Sequence, residues 1–202
     1  MKYFLPVISI AIILSISVGT STPASAQIYR VGAGLCFASG YEFNTIEAGN
    51  PGLKLKTWIA LDRKSTIHIV PTIIAFNRNS QDAGFFSVTN YMFMGDLDGQ
   101  YMVFKEKSMK IIVFGGMNVT YLSSIVAETD PKYPLDVYAP NAPGDLTDYG
   151  IGGNLGAGLE LRMGSHWDMN VSAKYILSKY SQFIISVEGV YYFKSRRRAY
   201  RR

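Results

Sequence analysis

The chain has 202 residues, and its 20 Lys and Arg against 15 Asp and Glu give a formal charge of +5. That excess is local: Lys194, Arg196, Arg197, Arg198, Arg201 and Arg202 crowd the last nine residues, and with Lys2 also set aside 13 basic residues face 15 acidic ones. The slightly acidic body excludes a basic nucleic-acid-binding surface, and the single cysteine, Cys36, excludes an internal disulfide framework.

Lys2, the apolar run from Phe4 to Val18 and the triplet Ala24-Ser25-Ala26 follow the order of a secretory signal peptide with an A-x-A cleavage site. The apolar run is short for a bilayer span. Residues 1–26 are therefore expected to be removed, leaving residues 27–193 as one domain and residues 194–202 as a basic tail. No cysteine directly follows the apolar run, so a lipid anchor is not expected, and Cys36 reads as a small residue on a crowded face.

The rest of the chain is written in period two, the signature of strands with one apolar and one polar face. From Tyr29 to Phe43, Tyr29, Val31, Ala33, Leu35, Phe37, Tyr41 and Phe43 share one face, with Arg30, Gly32, Gly34, Cys36 and Glu42 on the other. After the loop chemistry of Asn50-Pro51-Gly52, a second strand from Leu53 to Leu61 sets Leu53, Leu55 and Ile59 against Lys54, Lys56 and Trp58. Asp62 to Ser65 is a short polar turn. The third strand, Thr66 to Phe76, is apolar on both faces and carries Pro71 near its middle, where a bulge or break is expected because proline has no N–H for the ladder. A long strand from Phe85 to Phe104 places Tyr91, Phe93, Leu97 and Tyr101 opposite Asp96, Asp98 and Gln100.

Lys105 to Met109 reads as a tight charged turn and Ile111 to Tyr121 as the next strand. Ser123 to Asp148, with four prolines and five acidic residues, is the longest non-periodic segment. Three more strands follow, Tyr149 to Leu161, Trp167 to Leu177 and Phe183 to Phe193. In the first, Gly150, Gly152, Asn154, Gly156, Gly158 and Glu160 share the polar face, which continues into Arg162; Asp168 and Lys174 lie on that face of the second, and Glu188 of the third.

Eight strands and no helical periodicity predict an all-β chain, an eight-stranded antiparallel up-and-down β-barrel. Strands of about nine to eleven residues with one apolar face suit a tilted crossing of a bilayer. A soluble lipocalin-type barrel also alternates, but it keeps apolar residues inside and charges outside. Here the polar face is also the glycine-rich face, which suits a narrow lumen filled by a few long paired side chains. The apolar face carries rings near strand ends, including Tyr29, Tyr121, Tyr149, Trp167, Tyr191 and Phe193, as interfacial girdles do. With the N-terminus on the periplasmic side, the connections at Asp62–Ser65, Lys105–Met109 and Met163–His166 fall there and all three are short, while the longer ones, including Ser123–Asp148, fall outside, as in outer-membrane barrels.

The run from Gly150 to Phe193, with its glycine-rich strand, Glu160-Leu161-Arg162, a short turn before Trp167 and the closing Tyr191-Tyr192-Phe193, resembles the outer-membrane protein β-barrel domain family, which includes small barrels of the OmpX, OmpA and OmpW kind. The resemblance implies residence among outer-membrane lipids and insertion by the barrel assembly machinery. Such barrels usually end on the aromatic residue of the last strand, whereas nine residues follow Phe193 here.

The inward charges form the candidate site: Arg30, Glu42, Lys54, Lys56, Asp96, Asp98, Glu160, Arg162, Asp168, Lys174 and Glu188, with Asp62 at the edge of the set. They read either as a selective or proton-linked pathway or as a paired plug, and the plug is favoured because buried charges need partners. No cofactor, metal site or catalytic residue is expected. His68 and His166 stand outside any nucleophile–base motif, although Ser165 is adjacent to His166. The acidic segment Ser123–Asp148 has no fixed calcium-ligand spacing and reads as a solvated recognition loop. The tail has two readings, a contact with anionic lipid phosphates or a periplasmic protein, and a disordered soluble end. The expected role is a non-enzymatic membrane scaffold and surface-interaction protein; alternatives are passive passage of small or hydrophobic solutes, which the OmpW resemblance suggests, and an accessory place in an envelope or secretion assembly.

Overall fold

The computed structural model describes residues 28–40, 50–62, 65–77, 81–82, 86–128 and 146–193. Among them are nine strands and no helix: β1 (Ile28–Gly40), β2 (Asn50–Ala60), β3 (Ile67–Asn77), β4 (Gln81–Asp82), β5 (Phe86–Lys105), β6 (Met109–Glu128), β7 (Leu146–Arg162), β8 (Trp167–Leu177) and β9 (Gln182–Tyr192). Each of the eight long strands pairs antiparallel with two neighbours; β3 closes on β5 through Ile67↔Tyr101 to Asn77↔Tyr91, and β1 on β9 through Arg30↔Tyr192 to Gly40↔Gln182. The result is a closed eight-stranded barrel, with the two-residue β4 attached beside the far part of β5. Closure leaves no long edge of unpaired N–H and C=O groups, the condition for a strand structure to stand in hydrocarbon.

Period two becomes an inside and an outside. Along β9 the burial alternates without exception from Gln182 to Val190, and along β8 each even residue from Asp168 to Ile176 is buried. The outer face stays apolar although exposed: Leu53, Leu155 and Ile151 are 65%, 69% and 71% accessible. A water-soluble barrel would hide such side chains, so this surface is built for an apolar solvent.

Rings band the outer face at two levels. Near the end with long connections, called the loop end, Phe93, Tyr121 and Tyr149 stack across three strands with centroids 6.4 and 5.1 Å apart. At the opposite, turn end, Trp167 of β8 meets Tyr191 of β9 at 5.0 Å, and Tyr191 meets Phe193 edge-on at 5.9 Å. On β8 the step from Trp167 to Tyr175 is eight residues, about 26 Å along the strand at about 3.3 Å each. At a tilt of about 40° this rises about 20 Å, close to the apolar band of an outer-membrane barrel.

Three expectations change. Pro71 causes no bulge or break: β3 runs unbroken, its pairing with β5 is continuous, and its register with β2 is the same before and after the proline. The ladder to β2 instead lapses between Lys56↔Thr72 and Ile59↔Ile69, because the missing N–H of Pro71 falls on the β2 side. The register shifts lie at the turn end, between Ile28 and Arg30 of β1 and between Met102 and Phe104 of β5. The non-periodic segment is also shorter than Ser123–Asp148. β6 continues to Glu128 and β7 begins at Leu146, paired through Ser124↔Leu146, so only residues 129–145 fall outside the described residues. Finally, Asp62 is a turn residue and no lumen charge. Its carboxylate accepts from the amides of Thr66 and Ile67 at 2.6 and 2.8 Å, beside Ser65 at φ 52°. The expected leader, the tail and Glu42 also lie outside the described residues.

Candidate functional site: the filled lumen

Five basic side chains (Arg30, Lys54, Lys56, Lys110 and Lys174) and five acidic ones (Asp96, Asp98, Glu160, Asp168 and Glu188) are buried in the barrel among the described residues. Ten charges in a low-dielectric interior persist only if paired and hydrogen-bonded. Nine of the ten stand in ion pairs, in clusters set at successive heights by strand register, while Asp98 Oδ1 has no hydrogen-bond partner.

Nearest the turn end, Glu160 of β7 takes ion pairs from Arg30 of β1 and Lys110 of β6. Lys110 lies 3.4 Å from Asp168, and the Tyr192 hydroxyl sits among all four groups, accepting from Arg30 at 2.7 Å and Lys110 at 2.9 Å. The register Lys110↔Glu160, Arg162↔Asp168 and Arg30↔Tyr192 explains the meeting, since inward residues on adjacent strands share a level. The Arg30 guanidinium also lies 4.3 Å from the Trp58 ring centre, and Trp58 donates to Gln100 at 2.9 Å. Around this cluster pack Val70, Val190 and Tyr29, with the Tyr29 hydroxyl 2.5 Å from His68 Nε2.

One level further in, Glu188 pairs with Lys54 at 2.8 Å and with Lys56. Ser186 links Lys54, Ser172 and Glu188 at 3.0, 2.8 and 2.9 Å. Above them Asp96 pairs with Lys174 and accepts from Asn118 at 2.6 Å, which accepts from Thr120 at 2.8 Å. A cavity of about 10 Å³ lies beside the middle group, lined by Lys54, Lys56, Val70, Thr72, Asp98, Gln100 and Phe114. That is room for about one water molecule.

Toward the loop end the lumen changes character. Ile74, Phe76, Met92, Met94, Leu122, Ile176, Tyr180 and Ile184 meet with Cys36 and Ala38 in one buried apolar cluster. The thiol of Cys36 is unbridged and belongs to this plug. Glycines on the inner face make room for neighbouring rings: a Cβ on Gly32 would fall 2.9 Å from the Trp58 ring, and one on Gly156 would fall 2.5 Å from Phe114. The glycine-rich face thus accommodates bulky neighbours and does not widen a channel.

Above the plug, at the outer rim, Asp148 accepts from Lys179 and from the Tyr180 hydroxyl. Those hydrogen bonds, the one from Lys179 first, hold its carboxyl down to about 2.

Nine of the eleven predicted lumen charges are brought inside: Arg30, Lys54, Lys56, Asp96, Asp98, Glu160, Asp168, Lys174 and Glu188. Arg162 is a correction. As the last residue of β7 it has no wall beyond it, stays exposed, and its Nε donates to Gly164 O at 3.3 Å. Glu42 lies outside the described residues. Lys110 is the charge that sequence reasoning missed. It falls between the charged turn Lys105 to Met109 and the strand read from Ile111, although its even number puts it in phase with Ile112, Asn118 and Thr120. His166 Nδ1 lies 3.0 Å from Tyr192 O and its ring stacks on Tyr191.

No protein-family model matches the chain, and no curated protein matches it. Solved structures share its fold at very low sequence identity. A major outer membrane protein from Thermus thermophilus is 12% identical with a TM-score of 0.58, covering 82% of this chain and 98% of that one. The N-terminal β-barrel domain of Pseudomonas aeruginosa OprF is 11% identical with a TM-score of 0.54 over 83% and 99%. The attachment invasion locus protein Ail of Yersinia pestis is 8% identical with a TM-score of 0.53 over 82% and 99%. The chain therefore has the architecture of the small eight-stranded outer-membrane barrels.

Proposed function

We propose that this chain is a non-enzymatic integral protein of a bacterial outer membrane, a closed scaffold that holds its long connections outside the cell. In this reading residues 1–26 direct export, the barrel assembly machinery inserts the strands, the turn end faces the periplasm and the loop end faces outward. The exposed apolar belt, the two ring levels and the outer-membrane barrels that share the fold support the membrane part.

The observation that carries the closed part is the filled lumen: five buried cations and five buried anions, nine of the ten in ion pairs, then an apolar plug toward the loop end. Such an interior spends nine of its ten charges on one another, and the space beside the tenth, Asp98, is about 10 Å³, too small for a continuous aqueous path. A conducting or solute-passing barrel needs a continuous polar passage, and Met92, Met94, Phe76 and Leu122 stand across it. With the lumen closed, recognition falls to the connections, above all residues 129–145 with their acidic and proline-rich sequence.

Proteoliposome swelling in isosmotic sugars and amino acids tests the closed reading. Vesicles carrying the folded protein are expected to keep their volume as protein-free vesicles do. Swelling at a rate proportional to the protein content would replace the scaffold with a passage.

A further inference from the structure

Among the described residues no group of three or more His, Cys, Asp or Glu side chains is placed to hold a metal ion. The apolar plug offers sulfur instead. Met92 and Met94 flank Phe93 on β5, and because a strand alternates, both thioethers enter the lumen while the ring between them stays on the outer face. Gln182 of β9, four strands away around the barrel, reaches across to them. Its Nε2 donates to Met92 Sδ at 3.6 Å and to Met94 Sδ at 3.7 Å, and lies 3.4 Å from Tyr180 O. Two sulfurs on neighbouring inward positions thus converge on one amide.

That amide is poorly served. Gln182 is only 1% accessible, its Oε1 has no hydrogen-bond partner among the described residues, and two of its three Nε2 contacts run to thioether sulfur, a weak acceptor. A buried carbonyl oxygen left in this state costs free energy, and such an orphan points to a bound water or ion. The surroundings choose between them. Two thioethers and an amide oxygen are three neutral donors, two of them soft, and soft sulfur ligands select Cu(I) among the biological metals. Neutral donors in an apolar plug also favour a single charge, because the cost of burying an ion rises steeply with its charge. The next inward residue of β5, Asp96, is engaged by Lys174 and does not offset a second one.

We propose that Met92 and Met94 form a binding site for a soft monovalent cation, Cu(I) or its analogue Ag(I), with Gln182 Oε1 as the third donor. Rotation about the last side-chain bond of Gln182 brings Oε1 to the place of Nε2, turning a donor toward the sulfurs into an acceptor for the ion. The site opens toward the loop end. Tyr180, whose carbonyl adjoins Gln182, packs in the plug and donates through its hydroxyl to Asp148 at the rim. The Asp148 carboxylate is partly exposed, so a cation drawn to it stands one side chain away from the plug. Binding at this level requires no passage through the charged clusters below. The proposal goes beyond the scaffold reading and does not rest on it.

Anaerobic titration of the full chain, folded in nonionic detergent, with Cu(I) against the chromogenic chelator bicinchoninate tests it. The folded parent is expected to withdraw one equivalent of Cu(I) from the chelator. Met92→Leu and Met94→Leu keep the side-chain volume, and each should weaken that binding at least about tenfold. Cys36→Ser, which removes the thiol of the same plug, should leave the methionine-dependent equivalent in place, and Zn(II) should not compete for it. Failure of the parent to withdraw Cu(I) overturns the proposal, as does equal competition by Zn(II). Binding that vanishes with Cys36→Ser and ignores both leucine variants also overturns it. Where a leucine variant loses the heat-modifiable migration of the folded chain, Cu K-edge absorption of the loaded Cys36→Ser chain decides: sulfur neighbours support the site, and a shell of nitrogen and oxygen alone overturns it.

Discussion

The Tyr192 hydroxyl lies 2.7 Å from Glu160 Oε1, deep in the barrel and 32 residues away in sequence. It has one proton to give and a second carboxylate, Asp168, at 3.0 Å, while it accepts from Arg30 and Lys110. The phenol oxygen therefore welds β1, β6, β7, β8 and β9 at one level, and Glu160 is the anion on which both cations converge.

Glu160→Gln leaves Arg30 and Lys110 with only part of their compensation, and removing one member of a buried ion pair costs about 3–5 kcal/mol. Urea unfolding of the protein from lipid vesicles is expected to show a loss of that order. Glu160→Gln combined with Arg30→Met should recover part of it, because the double change removes a charge of each sign. A single variant as stable as the parent would show that the cluster is not energetically coupled.

Gly156 and Gly95 separate crowding from composition. A methyl on Gly156 would lie 2.5 Å from the Phe114 ring and from Ala173 O, whereas one on Gly95 meets nothing within 4 Å. Gly156→Ala is expected to destabilise by about 1–3 kcal/mol, and Gly95→Ala to change stability by less than about 0.5 kcal/mol. Equal effects in the same unfolding assay would contradict the inner-face packing.

Pro71 sits where the β2–β3 ladder lapses without losing register. Pro71→Val restores an N–H and is expected to stabilise by about 1 kcal/mol. Hydrogen exchange should show the new amide at residue 71 protected like those of the adjacent strand residues. Rapid exchange there would mean that β2 and β3 are separated at that level for another reason.

The rim contact of Asp148 carries a pH signature. Its carboxyl is held down to about 2 by hydrogen bonds from Lys179 and Tyr180, against an ordinary value of about 3.9. A depressed carboxyl binds fewer protons folded than unfolded, so its contribution is complete above about pH 4 and fades as pH falls through about 2. NMR titration of the Asp148 carboxyl should show that midpoint, and Lys179→Gln should raise it. A midpoint near 4 in the parent chain would contradict the contact.

Alternation alone located the strands because a barrel wall has two solvents and the side-chain period is two; Trp167–Leu177 was legible to the residue. The same parity brought Arg30, Glu160, Asp168, Lys54, Lys56, Glu188, Asp96 and Lys174 to one interior. Parity could not say how that interior is divided along its axis. β3 reads mostly apolar on both faces because Ile67 and Ile73 look outward while Val70, Ile74 and Phe76 look inward, and its inner face carries no charge among His68 and Thr72, its polar residues there. Lys110 was lost to its neighbours Lys105, Glu106 and Lys107, which give a strand start the composition of a turn. Arg162 has the right parity but is the last residue of β7, with no wall beyond it to bury its side chain. The rings filling the space beside Gly32 and Gly156 come from adjacent strands, a pairing that only register discloses.

The central claim is that matched charges and an apolar plug close this barrel. Single-channel recording of the folded full chain in planar bilayers tests it most directly. No steady conductance is expected in the parent protein at any moderate voltage, with ion passage appearing only when Phe76, Met92 and Met94 are together changed to Ser. A steady, reproducible conductance in the parent that changes on Glu160→Gln would contradict it, because current would then be passing through the very cluster described as sealed.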